Sequence, residues 1–326
     1  MILRRDKIAD KISEYVRKQV PFVFIIDFSG TLGVVLTPDE AARENIFFST
    51  PGFTNFKMEA PSLPSLLDFQ FFPVGLREYS DAFRKIMAHL QRGDTYLLNL
   101  TFPTPILTSF SLTELFSYSI APYKLLFKDR FVVFSPEIFV RIAGNQIFSY
   151  PMKGTIDASI PGAKEKILAD QKEFFEHNTI VDLIRNDLSI VSYDVRVNRF
   201  RYVEPIVTNR KTLLQVSSEI SGTLFPDWKQ DTGALLLKLL PAGSVTGAPK
   251  GRTVEIIRDV ETYERGFYTG VFGYCNGEDI DSAVMIRFIE QTDGKMVFKS
   301  GGGITSLSKL NDEYDELNQK IYVPVA

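Results

Sequence analysis

Apolar side chains at Ile8, Ile12, Tyr15 and Val16 recur at the spacing of one helix face, so the chain is expected to open with an amphipathic helix. Residues 21–28 form a short apolar run that reads as a buried strand, and Ser29-Gly30 turns it into a second one over about 32–36. From 50 to 75, Pro, Ser and Phe mix without a period, which predicts a long surface excursion. Phe83, Ile86, Met87 and Leu90 mark a helix over 80–91. Gly93-Asp94 then turns the chain into a strand running through Thr101. Ser111-Leu-Thr-Glu114 has the form of a capping box opening a short helix. Strands follow at 123–135, 138–143 and 146–151, the last two joined at Gly144-Asn145. The longest helical stretch is 163–188, with Ile167, Phe174, Phe175, Ile180, Leu183 and Ile184 as its apolar stripe.

Strands return at 189–207 and 213–222, and helices at 231–240 and 250–262. A strand pair turns at Asn276-Gly277-Glu278-Asp279, and Asp293-Gly294 precedes a strand at 295–300. Gly301-Gly-Gly303 leads to a last helix over 309–321. Strands outnumber helices, and hairpin turns join many of them. The expectation is an α+β fold with antiparallel sheets rather than a doubly wound parallel one. No linker or repeat divides the chain, so one domain over 1–326 is expected.

Composition narrows the chemistry. The chain has 326 residues, 44% of them apolar and 24% charged, a globular balance with 27 Phe and 13 Tyr to fill a core. A net charge of −3 gives no basic surplus for a nucleic-acid backbone. The single cysteine, Cys275, permits no internal disulfide or CxxC metal site, and His89 and His177 are too few for a histidine-rich zinc site. Neither a signal peptide nor a membrane span is expected, which makes the cytoplasm the default.

The segment Gly243-Ser-Val-Thr-Gly-Ala-Pro-Lys250 departs from a phosphate loop, which ends in Gly-Lys-Ser/Thr. A tight turn with Pro249 beside the next helix is the plainer reading. Ser300-Gly-Gly-Gly-Ile304 is either a bend or a place where backbone N–H groups approach an anion closely. Glu313 and Glu316 stand at i and i+3 on the last helix with Lys320 on the same face, and Glu173 and Glu176 repeat the spacing on the long helix. Brought together, the two pairs would make a hard oxygen site suited to Mg²⁺; apart, each is a solvated face. Asp182, Arg185 and Asp187 read as paired scaffolding. Lys153, after a strand and before a glycine, is either a surface charge or a nucleophile whose amine burial keeps neutral.

Together these segments resemble the chorismate-utilising enzymes. The likeness runs through Gly93-Asp-Thr-Tyr-Leu-Leu-Asn99, Ser135-Pro-Glu137, Pro151-Met-Lys-Gly-Thr155 and the stretch from Glu176 to Asp187. It continues through Pro241-Ala-Gly-Ser-Val-Thr-Gly-Ala-Pro-Lys250, Arg265-Gly-Phe-Tyr268, Ile286-Arg287, Gly301-Gly-Gly-Ile304 and Glu313-Tyr-Asp-Glu316. The resemblance implies two stacked, largely antiparallel sheets flanked by helices, and Mg²⁺ on the ring carboxylate of chorismate. It makes Glu176 and Glu316 direct or near-direct metal ligands, with Glu173 and Glu313 as outer partners holding bound waters. Arg287, Tyr268, Lys320, Gly154, Thr155, Gly301, Gly302 and Gly303 would serve the substrate.

Lys153 falls where the anthranilate- and isochorismate-forming members have alanine and the aminodeoxychorismate-forming members have lysine. The resemblance therefore implies attack by Lys153 at C2 of chorismate with Glu137 as general acid for the C4 hydroxyl. Ammonia would then add at C4, supplied by a separate glutamine amidotransferase subunit. Anthranilate synthase is the nearest rival. Leu97 stands where relatives place Gln or Lys, so no base for activating water at C2 is expected. Leu214 stands where relatives place a histidine, with Gln215 adjacent as a substitute if the register slips by one. The chain also lacks most of the longer N-terminal region of anthranilate synthases, so tryptophan feedback of that kind is not expected.

Overall fold

The computed structural model describes residues 1–57, 68–207 and 212–325. Two antiparallel sheets stack face to face, with helices on their outer surfaces. The first runs in the order Leu3–Arg4, Leu32–Leu36, Phe22–Ile26, Val271–Cys275, Ile280–Val284, Ile138–Ala143, Gln146–Ser149, Thr212–Leu224, Met152–Asp157. Ser192–Val207 also pairs with Thr212–Leu224. The second sheet runs Gly247–Ala248, Leu97–Leu107, Lys295–Thr305, Phe288–Thr292, Phe131–Ser135, Tyr123–Phe127, Ile46–Thr50, Phe53–Thr54, with Gln70–Phe71 alongside Leu97–Leu107. The expected α+β architecture is the observed one.

Side-chain alternation along the strands builds the layers. Val23 and Ile25 point into the seam between the sheets, where Phe272 and Ala283 meet Phe48, Leu125, Phe131, Val133 and Phe288 of the second sheet. Phe22, Phe24 and Ile26 point the other way, onto Ile8, Ile12 and Val16 of helix Arg5–Arg17. Both faces of that strand are dry, which is why it reads as an unbroken apolar run. On the far side of the second sheet, Tyr79, Phe83 and Ile86 of helix Leu76–Arg92 cover Leu98, Leu100 and Ile304, and Leu317 of helix Leu310–Gln319 joins them.

Several expectations need correction. The helix expected over 163–188 is two, Ala163–Ala169 and Gln171–Ser189. Asp170 between them is extended, and its carboxylate accepts a hydrogen bond from the Glu173 amide at 3.0 Å, capping the second helix. The strand expected over 123–135 is a hairpin that turns through Asp129. The strand ending at Thr101 continues to Leu107 because Lys295–Thr305 pairs along its whole length. That partner includes Gly301, Gly302 and Gly303, so the glycine run is strand rather than bend. Of the excursion at 50–75, residues 58–67 lie outside the described residues, and its flanks carry the short strands Phe53–Thr54 and Gln70–Phe71. Arg185 pairs with Asp182 in solvent at 2.8 Å, whereas buried Asp187 pairs with Lys250 at 2.7 Å. The turn after Pro241 is thus fastened to the long helix. Gly247 has φ +129° and lies so close to Leu97 that any Cβ there would overlap the Leu97 carbonyl.

Candidate active site

The two acidic pairs come together at one end of the stacked sheets. Helix Gln171–Ser189 rests on Thr212–Leu224 and Met152–Asp157 of the first sheet, and helix Leu310–Gln319 rests on Lys295–Thr305 of the second. The gap between them lies over the glycine strand. A Cβ built on Gly302 would stand 3.7 Å from a Glu316 oxygen, 3.7 Å from Lys320 Nζ and 3.9 Å from a Glu313 oxygen. One built on Gly303 would stand 3.3 Å from Lys153 Nζ and 3.1 Å from Leu97 Cδ1. The bare backbone of this strand lets the Glu316, Lys320 and Lys153 side chains close over it.

Lys153 reaches the gap because the strand carrying it bulges. Pairing with Thr212–Leu224 skips from Lys153 to Thr155, and Gly154 takes φ +72° with Glu173 against it. Lys153 Nζ donates to Glu176 Oε2 at 2.5 Å. Burial disfavours its charge, but the carboxylates of Glu176, Glu316 and Glu173 more than offset this, so its pKa stands above the ordinary lysine value. The desolvated setting expected for a nucleophile is present, but the amine is an ammonium in this arrangement. Lys172 and Lys320 complete the set of cations. Lys172 Nζ donates to Glu313 Oε1 at 2.8 Å, and Lys320 Nζ contacts Glu316 Oε1 at 2.6 Å and donates to the Gly301 carbonyl at 3.0 Å. Burial would raise the Glu316 pKa, but Lys320, Lys153 and Lys172 hold it below the usual range.

Among the described residues, no three acidic, histidine or cysteine side chains converge closely enough to hold an ion as they stand. Two carboxylate oxygens nevertheless have no hydrogen-bond partner, Glu173 Oε2 and Glu176 Oε1, and both are buried. Burial and the neighbouring Glu176 and Glu316 charges push the Glu173 carboxyl upward against the pull of Lys153. Unpaired buried carboxylate oxygens beside other carboxylates fit a hard cation.

Glu137 follows strand Phe131–Ser135, fixed by its amide donating to Ser135 Oγ at 3.1 Å. Burial pushes its carboxyl above the ordinary range, while Ser244, Lys153, Lys320 and Arg287 pull part of the way back. The Ser244 hydroxyl donates to Glu137 Oε1. Arg287 adopts φ +53°, and its guanidinium stands 5.0 Å from the Tyr322 ring with Nε buried and unpartnered. A guanidinium edge left open in this way suits a carboxylate. Tyr268 is buried against Phe288, which drives its phenol pKa up. Thr155 is exposed, beyond the bulge. Gln215 lies opposite Thr155, and alternation sets it on the other face from Val216 and Ser218. Leu214 shares the face of Ser218, which bonds the long helix.

Sequence reasoning missed Lys172 and Ser244. Lys172 stands four residues before Glu176, a spacing that signals an intrahelical ion pair. Ser244 lies within the segment Pro241 to Lys250, where no spacing marks it out. It also missed His177, whose Nε2 meets Ser218 Oγ at 2.7 Å.

Residues 53–326 match the chorismate binding enzyme family, and the chain belongs to it. An uncharacterized PabA-like protein of Pasteurella multocida is 50% identical over 315 residues, spanning 96% of this chain and 97% of that one. Aminodeoxychorismate synthase component 1 of Bacillus subtilis is 30% identical over 269 residues, which cover 75% of this chain and 54% of that protein. The crystal structure of anthranilate synthase component I from Streptococcus pneumoniae aligns with a TM-score of 0.67 at 26% identity, over 79% of this chain and 59% of that one.

Proposed function

We propose that this protein aminates chorismate to 4-amino-4-deoxychorismate, with ammonia from a separate glutamine amidotransferase, a step toward 4-aminobenzoate and folate. The observation that carries the reading is the position of Lys153. Its amine lies at the glycine strand beside Leu97, in the gap bounded by both acidic pairs. Leu97 offers no base there that could activate water, so the amine is the evident nucleophile for C2. Glu176 and Glu316 would hold Mg²⁺, with Glu173 and Glu313 behind them, and the ion supplies the positive charge that the ring carboxylate of chorismate needs. The open guanidinium edge of Arg287 and the Lys320 ammonium serve the second carboxylate.

Lys153 leaves Glu176 and passes a proton to the neighbouring Glu173 carboxylate, whose pKa burial raises, and the neutral amine forms a bond from Nζ to C2 as the C4 hydroxyl departs. Glu137, whose carboxyl burial pushes upward, gives that group its proton so that water departs. Ammonia then bonds at C4 and the C2–Nζ bond breaks, with Glu137 positioned to take the surplus proton. Two displacements replace one hard substitution.

The test is chromatography of the products from chorismate, Mg²⁺ and ammonium. Aminodeoxychorismate is expected, and Lys153→Ala should cut its rate by about 10²-fold or more. Anthranilate as the product, formed with no lyase present, would favour the anthranilate synthase reading. Unchanged amination by Lys153→Ala would remove the covalent step.

A further inference from the structure

Three lysines face the acidic gap, and they are not equivalent. Lys320 pairs with Glu316 four residues before it on the same helix, and Lys153 reaches Glu176 from a strand. Lys172 links one acidic helix to the other. Its Nζ lies 2.8 Å from Glu313 Oε1 and 3.8 Å from Glu176 Oε1, the second too long for a hydrogen bond. The carboxylate of Glu313 is 1% exposed and that of Glu176 5% exposed, whereas the Lys172 side chain is 35% exposed. The amine therefore enters the gap from solvent on a flexible stem and ends between two dry carboxylates. Glu176 Oε1, the oxygen it approaches, has no hydrogen-bond partner. From the other side, Gly302 backs the same space, where a Cβ built on it would stand 3.7 Å from a Glu316 oxygen and 3.9 Å from a Glu313 oxygen.

From this geometry we infer that Lys172 is a tethered stand-in for the divalent cation, holding the acidic helices together while the metal is absent and competing with it when it arrives. The inference rests on the reading that these glutamates take Mg²⁺. Four carboxylates at one gap repel one another, and Lys172 supplies a positive charge that bridges them across the two helices. The same charge repels an incoming Mg²⁺ and stands 3.8 Å from Glu176 Oε1, the unpartnered oxygen that the ion would take. Because the side chain is long and partly solvated, it can withdraw without disturbing the helix that bears it.

The test is titration of the metal-free protein with MgCl₂ by calorimetry, for the wild type, Lys172→Met and Lys172→Arg. Methionine keeps most of the stem and removes the charge, and arginine keeps the charge. Lys172→Met is expected to bind Mg²⁺ about tenfold more tightly or better, and Lys172→Arg within about threefold of wild type. In EDTA the methionine variant should melt below the wild type, and saturating Mg²⁺ should raise its Tm by the larger amount. Equal or weaker Mg²⁺ binding by Lys172→Met overturns the inference. A wild type that binds no Mg²⁺ overturns the metal reading itself, a separate result.

Discussion

Ser244 donates to Oε1 of Glu137, which leaves the other oxygen to carry the proton toward substrate. Removing the donor takes nothing from the gap itself, so chorismate affinity should hold while the proton transfer suffers. Ser244→Ala is expected to lower kcat about tenfold with KM for chorismate little changed, and Ser244→Thr to restore most of the loss. Because this bond draws the Glu137 pKa down, its loss keeps the acid protonated to higher pH, and the basic limb of the kcat profile should move upward. Steady-state kinetics across pH would read both effects. The two acidic helix pairs were legible in the sequence because i, i+3 spacing is local geometry, whereas Glu137 entered through the family resemblance. Ser244 was not, because it lies 107 residues from Glu137, and the Lys172–Glu313 pair spans 141 residues. Periodicity cannot report such contacts.

Helix Gln171–Ser189, which presents Glu173 and Glu176, is fastened to its sheet by His177. Ser218 Oγ accepts the Arg201 amide at 3.0 Å, so its own hydrogen is free for His177 Nε2. Burial, with the nearby Arg201 and Lys153 charges, lowers the His177 pKa to about 4, and the ring is neutral in the folded protein. An unfolded histidine titrates near 6.5, so between these values the unfolded chain binds more protons. The stability that wild type holds over His177→Asn should therefore shrink as pH falls from about 6.5 to about 4 and stay level above that window. Urea melts of both proteins at matched pH would measure the difference. The existence of this helix was legible, but the break before it was not. Ile167 and Phe174 continue one apolar stripe across Asp170, and only the cap interrupts the backbone. The glycine strand was misjudged for a similar reason. Its pairing partner, Leu97–Leu107, lies about two hundred residues earlier, and isolated glycines favour turns.

For the whole molecule, an α+β fold with antiparallel sheets was legible from strand count and hairpin turns, and the stacking of two sheets from the family resemblance. Register and layer order were not, since they depend on pairings such as Val271–Cys275 with Phe22–Ile26 across most of the chain. Cys275, on one of these strands, is fully buried, and burial raises its thiol pKa to about 11. It is unsuited to release ammonia from glutamine, which needs an accessible thiolate. The purified chain is expected to turn over chorismate with ammonium salts and to leave glutamine untouched until a glutaminase subunit is added. Following glutamate release alongside chorismate loss would test this.

Each acidic helix stands on a different sheet, so the packing of the two sheets bears on how far apart the carboxylate pairs stand. Phe131, Phe272 and Phe288 fill the space between the sheets. A change in their volume, far from any ligand, alters how far apart the two carboxylate pairs are held. Sequence drift in the interior can therefore retune ion and substrate preference while every residue of the site stays the same.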